Sequence, residues 1–188
     1  MGRWEPDARG RLAEAALELY SERGYEQTTV AEIAGRAGLT ERTFFRHYAD
    51  KREVLFSGSA ELRESFVRAV ADAPESAAPM DALAAGLDAM SEMFAGRREF
   101  ARERQAVITA NAELKERELI KLASIAASLT DALRGRGVAE PGASLLAEVG
   151  VAVFKVGFER WIAAGEKRQL AQVMRESLTE LKAMTGGG

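Results

Sequence analysis

The side chains able to do chemistry are few and unevenly placed. The chain holds no cysteine and a single histidine, His47, so thiolate nucleophiles, disulfides and cysteine–zinc sites are excluded. Its carboxylates fall at surface spacing without a convergent acid–base set, which leaves a small helical enzyme without candidate residues. We therefore expect no catalytic residue, no metal and no cofactor. One cationic run stands out instead. Between Arg36 and Arg52 five cations (Arg36, Arg42, Arg46, Lys51, Arg52) accompany two acids (Glu41, Asp50), a local charge of +3 in a chain of formal charge −3. A basic island of this kind attracts phosphates over a Debye length of ~8–10 Å. The alternative is an ordinary solvated charge run.

The elements that must position this island are helices. Residues 7 to 23 read as an amphipathic helix capped by Asp7, with Leu12, Ala16, Leu19 and Tyr20 at helical spacing and Gly24 as its stop. Thr29, with Glu32 three residues later, forms a capping-box pattern ahead of Val30, Ile33, Ala34 and Ala37. Ala34 is small enough for close helix approach, and Gly38 supplies the positive φ of a tight turn. Thr40 then opens a short helix whose apolar back is Phe44 and whose outward side chains are Glu41, Arg42, Thr43, Arg46 and His47. Val30, Ile33, Leu39 and Phe44 are expected to fill the wedge between the crossing helices. A short helix with an apolar back and a cationic front suits the DNA major groove, which admits one helix. A plain helical corner is the competing reading. For His47, phosphate contact is preferred to a metal or catalytic role.

Beyond this segment the pattern stays helical. Asp50 is expected to cap one long fourth helix running through Val54, Leu55, Leu62, Phe66 and Val70. Residues 72–79 read as a linker, followed by helices at about 80–95, 98–108, 112–134, 143–164 and 168–184, a loop over 135–142 and a frayed tail at Gly186-Gly187-Gly188. No strand-like alternation persists. The fold class is thus all-α: an N-terminal three-helix helix-turn-helix DNA-binding domain over residues 1–52, and a C-terminal helical bundle over 53–188 for ligand binding and dimerisation. The start, MGRWEPDARG, has no apolar core of a signal peptide, and no stretch approaches the ~20 apolar residues of a membrane helix, so a soluble cytoplasmic protein is expected.

Within the bundle, Met80, Leu83, Leu87, Met90, Met93 and Phe94 form an apolar stripe that Phe100, Val107 and Ile108 continue. Most of it is core on any reading. Adaptable Met and Phe side chains also suit a ligand cavity, for which Met90, Phe94, Ile108, Phe154 and Phe158 are the expected apolar contacts and Arg104 and Asn111 the polar anchors. Arg97, Arg98, Arg102 and Arg104 read first as a solvated helix face and second as a set that meets an anionic ligand. The eighth helix is apolar nearly all round (Val149, Val151, Val153, Phe154, Val156, Phe158, Trp161, Ile162) and must be covered on both sides. Its Gly150 and Gly157, with Leu170, Val173, Leu178 and Leu181 of the last helix, predict a symmetric four-helix interface and hence a homodimer.

Residues 9–56, with Gly24-Tyr25 followed by TTVAEIAGRAGLTERTFFRHYADKREVL, strongly resemble the headpiece of the tetracycline-repressor (TetR) family. Over residues 57–188 the resemblance lies in length and helix count alone. It implies a dimer on a pseudopalindromic double-stranded operator, released when a small-molecule effector enters the C-terminal body. It also implies Thr29 and Thr40 as helix caps beside phosphates, and Glu41, Arg42 and Thr43 at base-reading positions, with Arg42 suited to guanine O6/N7. Phe45 stands where tyrosine is frequent, removing one phosphate hydroxyl contact. Tyr48 supplies a hydroxyl from another angle or simply packs, and Lys51 resembles the family's backbone-contacting lysine. A weaker similarity is to members whose pockets take acyl-thioester or fatty-acid-like ligands. Activation, or ligand-independent DNA binding on the same fold, stays open as the second reading.

Overall fold

The computed structural model describes residues 8–163 and 165–185. The expected Asp7 cap, the last residue of the eighth predicted helix and the glycine tail lie outside them. All nine helices and one 3₁₀ turn of the described residues form without a strand: α1 (Ala8–Arg23), α2 (Val30–Arg36), α3 (Glu41–His47), the turn Glu53–Phe56, α4 (Ser59–Ala71), α5 (Pro79–Glu92), α6 (Arg98–Ala110), α7 (Ala112–Gly135), α8 (Gly142–Ile162) and α9 (Leu170–Thr185). No described helix is long and apolar enough to cross a membrane.

The local signals explain the first three helices. Thr29 Oγ1 accepts from the Glu32 amide at 3.3 Å while the Glu32 carboxylate accepts from the Thr29 amide at 2.9 Å, so two orphan amide groups at the start of α2 are satisfied reciprocally. Gly38 takes φ +67° and turns the chain, and Thr40 Oγ1 then accepts from the Thr43 amide at 3.2 Å to start α3. Each hydroxyl cap of this type contributes about 1 kcal/mol.

The long fourth helix does not form. Asp50 does cap, accepting from the amides of Arg52 (2.8 Å) and Glu53 (3.2 Å), but the element it opens is the 3₁₀ turn. Gly58, at φ +88°, breaks the chain direction before α4 begins. Val54, Leu55 and Phe56 of the 3₁₀ turn are all buried, and the left-handed φ of Gly58 cannot continue a right-handed helix.

The chain condenses into two compact units, one comprising the residues up to Ser59 together with Glu103–Leu119, the other Ala60–Arg102 together with the residues from Ile120 onward. The first unit packs α1, α2 and α3 around Leu12, Ala16, Leu19, Ile33, Ala34 and Phe44; Val30 and Leu39, expected inside the wedge, are only half-buried. In the second, α8 lies on α9 and both lie on α5. Its core joins Phe66, Leu83, Leu87, Met90, Leu129, Phe154 and Val173.

Candidate nucleic-acid interface and effector body

The turn that sets α3 is fastened from outside as well as by its own cap. Arg11 of α1 donates through Nε to the Ala37 carbonyl at 3.1 Å, and its Nη2 lies 3.0 Å from where a Cβ on Gly38 would stand. A terminal carbonyl of α2 is thereby satisfied. Arg11 escapes a reading by spacing, because nothing local links it to a residue 26 positions away. Buried Thr28 is a second omission: its hydroxyl donates to the Gly24 carbonyl at 2.9 Å and closes the α1–α2 connection.

On α3 the structure brings together the outward set. Glu41, Arg42, Phe45 and Arg46 are exposed, and Thr43 and His47 are half-buried. Phe45 is 56% exposed, while Phe44 behind it is fully buried. Arg42 and Arg46 make no hydrogen bond or ion pair with any other described residue. The remaining cations of the basic run are occupied. Arg36 pairs with Glu22 at 2.9 Å and Glu18 at 3.1 Å, and Arg52 pairs with Asp50 at 2.6 Å. Those bonds hold the Glu22 and Asp50 carboxyls below their ordinary range and push the Arg36 guanidinium above its own. The basic island counted in sequence therefore shrinks, as an outward feature, to two arginines on one helix.

Tyr48 and Lys51, both considered for the phosphates, bond within the chain. Tyr48 is buried; its hydroxyl donates to the Arg9 carbonyl at 3.0 Å and meets Ser57 Oγ at 2.9 Å, so it packs. Lys51 donates to the carbonyls of Tyr25 (2.9 Å) and Thr28 (3.2 Å) and lies 4.3 Å from the centroid of the Tyr25 ring. Its ammonium closes the loop ahead of α2 by gathering the carbonyls of Tyr25, Glu26 and Thr28, of which Tyr25 also accepts from the Thr28 amide at 3.3 Å. Tyr20 completes this cluster by donating to the Lys51 carbonyl at 2.7 Å, and burial raises its phenol well above the usual range.

The expected ligand contacts are divided between the two compact units. Met90, Phe94, Phe154 and Phe158 belong to the second compact unit, whereas Arg104, Ile108 and Asn111 belong to the first. Arg104 is held by its own unit. Its Nε donates to the Leu55 carbonyl at 2.5 Å, its guanidinium stacks 5.0 Å from the Phe56 ring centroid, and Glu118 lies 3.8 Å away. Burial lowers that guanidinium to about 10, with Glu118 opposing. Asn111 Nδ2 donates back to the Val107 carbonyl at 2.6 Å, and Ile108 is fully buried. Arg117 bonds to Glu53, and Tyr25 donates to Glu113 at 3.3 Å, so residues 103–119 join the headpiece through Arg104, Glu113 and Arg117. In the second unit, Phe94, Phe154, Phe158 and Trp161 form an aromatic cluster with centroid separations of 5.3 to 6.2 Å.

The arginine row of α6 is likewise not a solvated face. Only Arg97 is exposed, over Phe100 at 4.9 Å. Arg98 bonds the carbonyls of Glu166 and Arg168, and Arg102 donates to the Ile162 carbonyl at 2.8 Å. The glycines of α8 also serve another purpose than expected. A Cβ on Gly150 would stand 2.7 Å from Leu83, and one on Gly157 would stand 3.0 Å from Met174, so both permit close packing inside the chain. The opposite side of α8 carries Leu145 and Val156, 64% and 50% exposed, with half-buried Val149 and small Ala152 between them along the same stripe.

Comparison with known proteins decides the family. Residues 12–57 match the description "Bacterial regulatory proteins, tetR family", and residues 77–186, more than half of the chain, match "MftR C-terminal domain". The chain belongs to the TetR family. In sequence, this TetR-family chain is 38% identical over 82 residues to the HTH-type transcriptional regulator TcmR of Streptomyces glaucescens, a match covering 44% of the chain and 36% of the relative. It is 30% identical over 87 residues to the fatty acid metabolism regulator protein of Bacillus subtilis, covering 46% of the chain and 45% of the relative, so less than half of each relative's length is matched. Among solved structures, FadR of Thermus thermophilus, a transcriptional repressor in complex with lauroyl-CoA, superposes at a TM-score of 0.53 with 26% identity over 92% of both chains. The family is one of regulators, not of enzymes, and the helix order found here is its fold.

Proposed function

We propose that this chain is a transcriptional repressor that binds a pseudopalindromic operator as a homodimer and is released by a small-molecule effector. Residues 1–52 supply the DNA contacts, and 53–188 supply the effector site and the dimer surface. The observation that carries the reading is the pair of unpartnered, exposed arginines on α3, Arg42 and Arg46, in a headpiece whose other cations in the basic run are neutralised or bonded inward. Unpaired cations on a short helix are what a phosphate-lined groove recognises. Arg42 reads a guanine edge, with Glu41 and Thr43 beside it; Arg46 and His47 meet phosphates; Thr29 and Thr40 hold the two helix N-termini to the backbone. Exposed Phe45 replaces a hydroxyl contact with apolar contact to a thymine methyl or a sugar.

The dimer surface is the α8 stripe of Leu145, Val149, Ala152 and Val156. An apolar stripe left in water at heptad-like spacing is what a second copy covers in an isologous interface. An amphipathic, apolar-bodied effector is supported by the aromatic cluster and by the lauroyl-CoA bound to the Thermus thermophilus relative. Within the first compact unit, residues 103–119 are held to the headpiece through Arg104, Arg117 and Tyr25, which makes them the segment an effector signal must reach. Fluorescence anisotropy with fragments of its own upstream DNA tests the reading. A fragment bound by the wild type and lost by Arg42→Ala is the expected result; absence of specific binding to any genomic fragment overturns it.

A further inference from the structure

In the second compact unit, two buried N–H donors lie unpaired at the aromatic cluster. Trp161 is 2% exposed, and its indole Nε1 has no hydrogen-bond partner; neither has the buried Nε of Arg98. The two groups adjoin, since the Arg98 guanidinium stacks 5.1 Å from the indole centroid. Arg98 spends its terminal nitrogens on the carbonyls of Glu166 and Arg168 and forms no ion pair with a described residue. The surrounding acids are already taken. Arg168 bonds both Glu166 and Glu176, holding the Glu166 carboxyl at about 2, and Arg102 takes Glu99 at 3.0 Å. A partly buried cation without a counter-ion, beside a buried indole donor, costs free energy until an acceptor arrives.

We infer that Arg98 and Trp161 bind the carboxylate of an apolar monocarboxylic acid, whose body lies against Phe94, Phe154 and Phe158. The chemistry favours an anion over a neutral acceptor, because a carboxylate accepts both N–H bonds and also neutralises the guanidinium. Phe94 is only half-buried, so the cluster reaches solvent on that side. The inference rests on the reading of this body as an effector domain and adds which group of the effector is recognised. It differs from recognition of a thioester, which carries no charge at that end of the chain.

The test uses the full chain with dodecanoate and 1-naphthoate as probes and dodecanol and 1-naphthalenemethanol as neutral counterparts, followed by calorimetry. At least one acid is expected to bind at least about tenfold more tightly than its alcohol, the factor that one charge-assisted hydrogen bond of about 1.5 kcal/mol supplies. Trp161→Phe keeps a ring and removes only the N–H, so it is expected to cut that preference several-fold; Arg98→Met is expected to abolish it. Equal affinity for acid and alcohol, no binding of either acid, or an unaltered preference in Trp161→Phe overturns the inference. If Arg98→Met fails to fold, Trp161→Phe decides alone. Operator binding is read separately. Acid bound with the stated preference while DNA is retained supports the site and removes the effector-release reading; release by alcohols as readily as by acids does the reverse.

Discussion

The headpiece and the helical body leave different things exposed. In the headpiece the apolar surface is closed and charge is left over: Phe44 and Ile33 are fully buried, Lys51, Arg36 and Arg52 are bonded, and Arg42 and Arg46 face solvent alone among the described residues of that run. On the outer side of α8 an apolar stripe is left over, and Arg98 and Arg102 are turned inward onto carbonyls. The difference teaches that the position of an arginine in sequence says little about its availability. Availability depends on which carboxylates and carbonyls the fold brings to it.

The contrast can be broken at its strongest point first. Phe44→Ala removes a fully buried ring of α3, and is expected to lower stability by about 3–5 kcal/mol in urea unfolding, with operator binding lost alongside. If the proposed α8 surface is the dimer interface, Val156→Arg sets like charges against each other across its two-fold axis at a cost of several kcal/mol. Sedimentation velocity should then show a monomer with an intact circular dichroism spectrum. A surviving dimer would place the interface elsewhere. Arg42→Ala should weaken the preferred operator by about 1–3 kcal/mol and relax one base preference, with unfolding unchanged.

Finer effects sharpen the reassignment of Lys51. Lys51→Met is expected to lower stability by about 1.5–3 kcal/mol through the lost carbonyl bonds while leaving the salt slope of DNA binding intact, whereas Arg46→Ala should reduce that slope by about one. A flattened slope in the lysine variant would return Lys51 to the phosphates. The smallest effect concerns Glu166, whose carboxyl is depressed to about 2 first by its side-chain bond to Arg168. A depressed carboxyl stabilises the fold fully above the ordinary glutamate range and loses that contribution as pH falls through about 2. Carbon-detected NMR titration of the Glu166 carboxyl should therefore show its inflection near that pH and not near the ordinary value.

The residues and spacings of 28–48 were enough to specify the Thr29–Glu32 capping box, the Gly38 turn, the Thr40 cap and the outward side chains of α3, because each depends on neighbours within four residues. The all-helical class and the helix order were legible for the same reason: 3.6-residue periodicity and glycine or proline punctuation are local. Tertiary structure decided everything that needed a distant partner. It turned Tyr48 and Lys51 inward, split the expected fourth helix at Gly58, and joined residues 103–119 to the headpiece. It also spent Gly150 and Gly157 on packing within the chain. Hydrogen bonds and close packing act over a few ångströms in space, and contacts such as Arg104 to Leu55 or Arg98 to Trp161 span 49 and 63 residues of chain that no local pattern connects.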